Sequence, residues 1–429
     1  MKLLLTGGRI LDPSCGLDTH GDLLVEDGRI VAVEERPGGK KSPGKTVQVL
    51  DVSGRIVVPG LVDMHTHLRE PGFEYKETIA TGCRAAATGG FTAIACMPNT
   101  NPVNDHRPVT EFILRKAAEC GLCRVYPVAA VSLESAGKRL TEFGDLSEAG
   151  AVAFSDDGKP VMDSALMRRA LEYAASLGLP VISHCEDAAL TAGGQMNEGT
   201  VSMELGLQGI PSTAEEIMVA RDLLLAGFSG AALHIAHVST AGSVRLIREA
   251  KARGVRVTAE TAPHYFTLSE EALWEYDTNL KVNPPLRRAA DVAAVREGLR
   301  DGTIDAIASD HAPHASTDKD VEFAYAASGM IGLETSLGLS LKLVRDGVLT
   351  LEALVAKMST QPAAILHLPG GTLRPGSPAD ITVIDAERNW TVDIRRFQSR
   401  SRNSPFDGWT LTGKAVLTLK DGVVVFQDS

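Results

Sequence analysis

A chain of 429 residues, 44% hydrophobic and 23% charged, has the length for two or three folded units and the composition of an ordinary globular protein. Its formal net charge of -11 argues against nucleic acid as a partner, since a phosphate-backbone binder needs a basic face. The opening MKLLLTGGRILDP is too short an apolar burst for a signal sequence, and no stretch reaches the ~18 apolar residues of a membrane span, so a cytoplasmic protein with no membrane partner is expected.

In chain order, residues 2 to about 58 alternate short β-branched runs with Gly, Asp and Pro, a pattern of strands and hairpins. The far end repeats it in ADITVIDAERNWTV and GKAVLTLKDGVVVFQ, with an Asp-Gly turn at Asp421 and Gly422. Two β-rich ends around a different middle predict one small domain in which the ends meet, 1–58 with 370–429. The middle, 59–369, contains eight short apolar strands: LVDMH, FTAIACM, CRVYPVAAV, GAVAFS, LPVISHC, ALHIAHV, VRVTAET and IDAIASD. Segments of helical period such as SALMRRALEYAASLG and AEEIMVARDLLLAG separate them. Eight strand-helix units predict an α/β fold built on a (β/α)₈ barrel; a doubly wound open sheet is the competitor, but no glycine-rich dinucleotide fingerprint follows the first strand. Gly89 and Gly90 precede a strand and are expected to end a helix. The six cysteines are scattered, and Cys120 and Cys123 form a C-x-x-C with no second pair, so free thiols are expected.

Polar residues fall at the C-terminal ends of these strands: His65 and His67 after the first, Asp157 after the fourth, His184 after the fifth, His237 after the sixth and Asp310 after the eighth. In a barrel those ends ring the face that carries active sites. His65 and His67 are two apart, so on a strand their rings project to one side. Taken singly, each histidine is as readily a hydrogen-bonded structural residue. Four imidazoles and two carboxylates on one rim, however, are zinc-ligand chemistry and exceed what a mononuclear site needs, so two divalent ions sharing a carboxylate fit better than one.

The combination HTHLREPG, MPNT, FSDDG, SHCED, HVST, APHY, NPPLR and SDHAPH, in this order and spacing, resembles the dihydroorotases of the long, class I bacterial type in the amidohydrolase superfamily. The resemblance covers essentially the whole chain. It implies a metal-bearing barrel with a composite β-sandwich domain from both ends, and the reversible interconversion of N-carbamoyl-L-aspartate and (S)-dihydroorotate, the third step of pyrimidine biosynthesis. Carried over by position, His65, His67 and Asp310 hold one zinc, His184 and His237 the second, and Asp157 is shared, where many superfamily relatives place a carboxylated lysine. Asp156 is the less expected member of its pair. Zinc would acidify a bound water and polarise the amide carbonyl, and Asp310 would move the proton between water and ring nitrogen.

For the substrate carboxylate the matching carriers are Arg69, whose planar fork suits a carboxylate, with Asn99 and His314, while Asn283 contacts the ring. Backbone contacts from Ser328 and Gly329 are expected from a long polar loop, ASTDKDVEFAYAASGM, which departs from the Pro-Phe-Gly of many relatives and reads as a lid. Glu70 is expected to orient Arg69 or a metal-bound histidine. His20, His106, His234 and His367 are expected to be structural, His264 and His311 to support the rim, and the Cys185 thiol to face away from it. The resemblance also implies a homodimer and a complex with aspartate carbamoyltransferase. Alternatives are another cyclic amidase such as an allantoinase or hydantoinase, a non-catalytic subunit supporting the transcarbamoylase, or a plain binding barrel.

Overall fold

The computed structural model describes residues 2–35 and 47–428. Strands from both ends of the chain form one eight-stranded sheet. Its path runs Val423–Gln427, Thr410–Lys420, Ile381–Thr391, Ile56–Pro59, Lys2–Asp12, Leu17–Glu26 and Arg29–Glu35, with Val47–Asp51 pairing alongside Lys2–Asp12. Alternation along Lys2–Asp12 buries Leu3 and Leu5, and the register shifts at Gly8. They join Ile10, Leu23, Val25, Ile381, Val383 and Leu419 in a single apolar cluster, which is how residues from the two ends of the chain come to share one core. At the expected turn, Lys420 pairs with Val423, and Asp421 and Gly422 both have positive φ, 50° and 71°, as a two-residue hairpin of this twist requires.

The eight expected inner strands are Leu61–Thr66, Phe91–Cys96, Arg124–Ala129, Ala153–Phe154, Val181–Ser183, Leu233–Ile235, Val257–Thr261 and Ala306–Ile307. They pair in parallel in sequence order. A bridge from Thr66 to His311, with the His67 N–H donating to the His311 carbonyl at 2.9 Å, brings the last strand back to the first. The fold is therefore a nearly closed parallel barrel with the helices packed around it. The two quoted helical segments form Ser164–Leu177 and Thr213–Ser229. Leu166, Ala170 and Ala174 of the first, and Met218, Val219 and Leu223 of the second, lie in one cluster with the strand residues Phe154, Val181 and Leu233. Burying each large aliphatic side chain there is worth about 1.5–3 kcal/mol. Gly90 caps helix Ile79–Gly89 at φ 92°, and its N–H reaches the carbonyls of Ala86 and Ala87. All six cysteines are free. Among the described residues no helix is long and apolar enough to cross a membrane.

Candidate functional site

The six rim residues converge. His67 Nε2 lies 3.2 Å from Asp310 Oδ1 and 3.6 Å from Asp157 Oδ2, and His65 Nε2 lies 3.4 Å from Asp157 Oδ1 and 3.7 Å from Asp310 Oδ1. On the other side of Asp157, its Oδ1 is 3.6 Å from His184 Nδ1 and 3.5 Å from His237 Nε2, and those two nitrogens are 2.8 Å apart. Asp157 thus stands between a His65–His67–Asp310 group and a His184–His237 group. All six side chains are buried. His65 Nε2 and Asp157 Oδ1 have no hydrogen-bond partner, a costly state for buried polar atoms unless they coordinate a cation. The donor set, imidazole nitrogens and carboxylate oxygens gathered around one shared carboxylate, fits divalent metal.

Asp156 is settled elsewhere, its carboxylate accepting from the Ser132 N–H at 2.9 Å and from the Ser132 hydroxyl. Burial pushes the Asp157 carboxyl up, but His65 and its contacts with His184 and His237 outweigh that and hold it well below the usual range. Asp310 is likewise held down against burial, by His67 first. Its contacts among the described residues all use Oδ1.

Three of the four cluster histidines are oriented through the second nitrogen. His65 Nδ1 sits 2.6 Å from Glu260 Oε1, and His184 Nε2 sits 2.8 Å from Glu186 Oε2. His67 Nδ1 donates to Asn99 Oδ1 at 2.9 Å. These contacts fix which nitrogen faces the cluster. Glu260 is the penultimate residue of the seventh strand, and the signal for it was present: a carboxylate near the end of the apolar run VRVTAET. The sequence reading passed over it and gave the orienting duty to Glu70. Glu70 instead accepts the Ile79 N–H at 2.8 Å, satisfying an unpaired amide at the start of helix Ile79–Gly89. Asp63, also passed over, accepts the His65 and Ser309 N–H groups at 3.1 Å and so ties the first strand to the residues before Asp310.

Arg69 is half-buried, donates from Nε to the Pro313 carbonyl at 3.2 Å, and has no carboxylate within ion-pair distance among the described residues. Burial lowers its pKa to about 10. His314 stands beside it, Nε2 3.4 Å from Arg69 Nη2; the same Nε2 donates to the Ser328 carbonyl at 2.9 Å, and Nδ1 accepts from Lys76 Nζ at 3.2 Å. Burial and the neighbouring Arg69, Lys76 and Lys319 push its pKa down to about 2, so it is neutral. Asn283 donates to Glu186 Oε2 at 3.0 Å, next to His184. The structure thus joins Arg69, His314 and the Ser328 carbonyl to one another, Asn99 to His67, and Asn283 to Glu186 beside His184. The Gly329 N–H is already committed, donating to the Lys281 carbonyl at 2.8 Å.

The loop expected to be a lid is fastened down. Lys281 Nζ donates to the carbonyls of Phe323 and Ala324 at 2.7 and 3.0 Å, and Lys319 Nζ to those of Thr278 and Ala327 at 2.9 and 2.6 Å. Of the other histidines, His311 lies 3.3 Å from Glu77 and accepts from the Gly332 N–H, and His264 is buried with its pKa lowered to about 4 by burial. His234 contacts Thr258 at 2.8 Å and lies 3.5 Å from Glu260, so a structural histidine shares the carboxylate that orients His65. Cys185 joins the barrel–helix core, turned away from the cluster as expected.

Comparison with known proteins decides the family. The chain is 65% identical over 428 residues to the dihydroorotase of Syntrophus aciditrophicus, each chain covered in full. It belongs to the dihydroorotase family. A family model described as Dihydro-orotase-like matches residues 54–243, which include five of the six rim residues, all but Asp310. Other members are 58% identical in Geobacter metallireducens, with both chains fully covered, and 59% identical in Pelotomaculum thermopropionicum, over 100% of this chain and 99% of that one. Among solved structures, the L-hydantoinase (dihydropyrimidinase) of Arthrobacter aurescens superposes with a TM-score of 0.88 at 28% identity, covering 100% of this chain and 96% of its own. The dihydropyrimidinase of Brevibacillus agri, at 24% identity and a TM-score of 0.85 over 100% and 95%, shares the fold. This dihydroorotase-family chain is thus built on the same frame as cyclic amidases that differ from it in most of their residues.

Proposed function

We propose that the chain is a dihydroorotase, interconverting N-carbamoyl-L-aspartate and (S)-dihydroorotate in pyrimidine biosynthesis. The observation that carries this is Arg69: a half-buried guanidinium without a carboxylate in ion-pair distance among the described residues, two residues past His67 of the cluster. A partly buried unpaired charge is costly, and a substrate carboxylate relieves that cost. The substrate is the one common cyclic amidase target that carries such a group on its ring; neither a hydantoin-type ring nor dihydrouracil does. The relatives bearing the name dihydroorotase support the same choice.

His65, His67 and Asp310 would hold one ion and His184 and His237 the other, with Asp157 shared; zinc, two per chain, suits the ligands best. When bound, the metal supplies Lewis-acid polarisation and a water of lowered pKa. The chain's own residues do the rest. Arg69, His314 and Asn99 seat the exocyclic carboxylate, Asn283 and the Ser328–Gly329 backbone border the ring, and burial of the cluster excludes bulk water. Asp310, held ionised by the neighbouring histidines, accepts the proton of the attacking water at Oδ2 and delivers it to the leaving ring nitrogen. Ring closure runs the same transfer backwards.

The reading includes a catalytic unit at 59–369 with a β unit from 1–58 and 370–429, a cytoplasmic location, a homodimer and a complex with aspartate carbamoyltransferase, all carried by the family resemblance. Ring opening of dihydroorotate, allantoin and dihydrouracil by the purified protein, with zinc quantified and then stripped, tests it. Turnover confined to dihydroorotate and lost with zinc is expected. Preference for allantoin or dihydrouracil would make the chain another cyclic amidase; no turnover of any would favour a supporting subunit.

A further inference from the structure

Residues 398–404 lie beyond the barrel in sequence, yet they run along the wall of the site. Glu334 accepts the Gln398 and Ser399 N–H groups at 2.8 and 3.1 Å, and Glu77 accepts the Ser399 hydroxyl and the Arg400 N–H. The segment thereby delivers one buried amide, Asn403, to the loop that carries His314. Asn403 Oδ1 accepts the His314 N–H at 3.1 Å, and its Nδ2 donates to the carbonyls of Ala312 and Gly329 at 3.0 and 3.1 Å. One acceptor and two donors meet one N–H and two carbonyls, and only an amide in this orientation satisfies all three. The Asn403 carbonyl also accepts the Ile331 N–H at 3.0 Å.

These bonds join the beginning and the end of the loop where they press closest. A Cβ on Gly329, at φ 135°, would come within 2.7 Å of the Ala312 Cβ and 3.0 Å of its carbonyl oxygen. His314 and Asn403 also border an open cavity of about 470 Å³, so the wall has no solid packing behind it on that side. The amide ties the His314 backbone to the Ser328–Gly329 turn, alongside the Lys281 and Lys319 bonds that fasten the rest of the loop.

We infer that Asn403 is a positioning residue for the substrate carboxylate, holding His314 and the 328–329 backbone in register with Arg69. The inference rests on the functional reading above. It also makes the C-terminal segment part of the site. The test is steady-state ring opening of dihydroorotate by the full-length, zinc-loaded chain carrying Asn403→Asp or Asn403→Ala, each alone and with His314→Ala. Asn403→Asp keeps the acceptor and the shape but turns an oxygen toward two carbonyls; Asn403→Ala removes all three bonds. The expected result is a rise in KM of about tenfold or more with kcat within about threefold and zinc content unchanged. With His314→Ala present, the further loss in kcat/KM should shrink to about threefold or less, because the two residues act through one another. Unchanged KM, equal losses in both backgrounds, loss of zinc, or a chain that fails to fold without the asparagine would each overturn the inference. If the wild-type chain does not open dihydroorotate, the functional reading itself falls, a result visible before any variant is made.

Discussion

Arg69→Met separates recognition from stability. The guanidinium is half-buried, has no ion-pair partner among the described residues and gives up one hydrogen bond, to Pro313, when it is removed. Its charge-assisted contact with the substrate carboxylate is worth about 2–3 kcal/mol, which at 1.36 kcal/mol per decade is a loss of about 30- to 150-fold in kcat/KM for dihydroorotate. Folding lowers its pKa from 12.5 to about 10 because burial disfavours the cation. Below pH 10 the folded state therefore carries the whole penalty, and it is relieved only as pH rises from about 10 toward 12.5. A methionine fills similar volume with no charge, so the substrate-free variant should melt no lower than the wild type. Any residual turnover of dihydrouracil, which lacks the carboxylate, should be the same in both proteins. The assays are kcat/KM on the two rings, zinc content and Tm in substrate-free buffer. A dihydroorotate kcat/KM within twofold of wild type, or equal loss on both rings, would refute the assignment.

Three further outcomes are expected. Glu260→Gln should weaken zinc retention roughly 10- to 100-fold in competition with a chelator, because His65 loses the carboxylate at its Nδ1; unchanged retention would show that the strand alone orients the ring. Asp310→Asn should slow ring opening and closure by the same factor and leave the final ratio alone, while each unit of rising pH near neutrality moves that ratio about tenfold toward carbamoyl aspartate, since closure consumes a proton. Because Asp157 already carries its charge, zinc in carbonate-free buffer should restore the stripped protein as fully as zinc with bicarbonate, and Asp157→Ala should lower occupancy of the His184–His237 side more than that of the His65–His67 side; a bicarbonate requirement would mean another group is the shared ligand.

The barrel was legible because its signals are local. Continuous apolar strands punctuated by helical periods give the unit count, and a histidine or aspartate closing a strand shows itself within five residues. The meeting of the two chain ends was legible for the same reason, from alternation in both. What remained hidden is the set of partners that aim the ligands. Glu260 is 195 residues from His65 and Asn403 is 89 from His314, and nothing in either segment names its partner. Glu70 misled for a related reason: beside Arg69 in sequence, it is turned by the chain toward the amides of the next helix.

Local conformation explains why neighbours in sequence make poor guides at this rim. Arg69, His237 and Asp310 all have positive φ, 63°, 33° and 47°, in a region that side chains other than glycine's rarely enter. Each sits just past a strand end, where strand alternation no longer says which way a side chain points. Such a conformation costs of order 1–3 kcal/mol and persists only where the surroundings hold it. Here the surroundings are contributed from afar: Asp63 ties the first strand to Ser309, the His67 N–H ties it to His311, and the Val238 N–H donates to the Glu260 carbonyl at 2.8 Å. The ligands were readable because they are fixed by position on a strand, and their aim was not, because it is fixed by the closing of the barrel on itself.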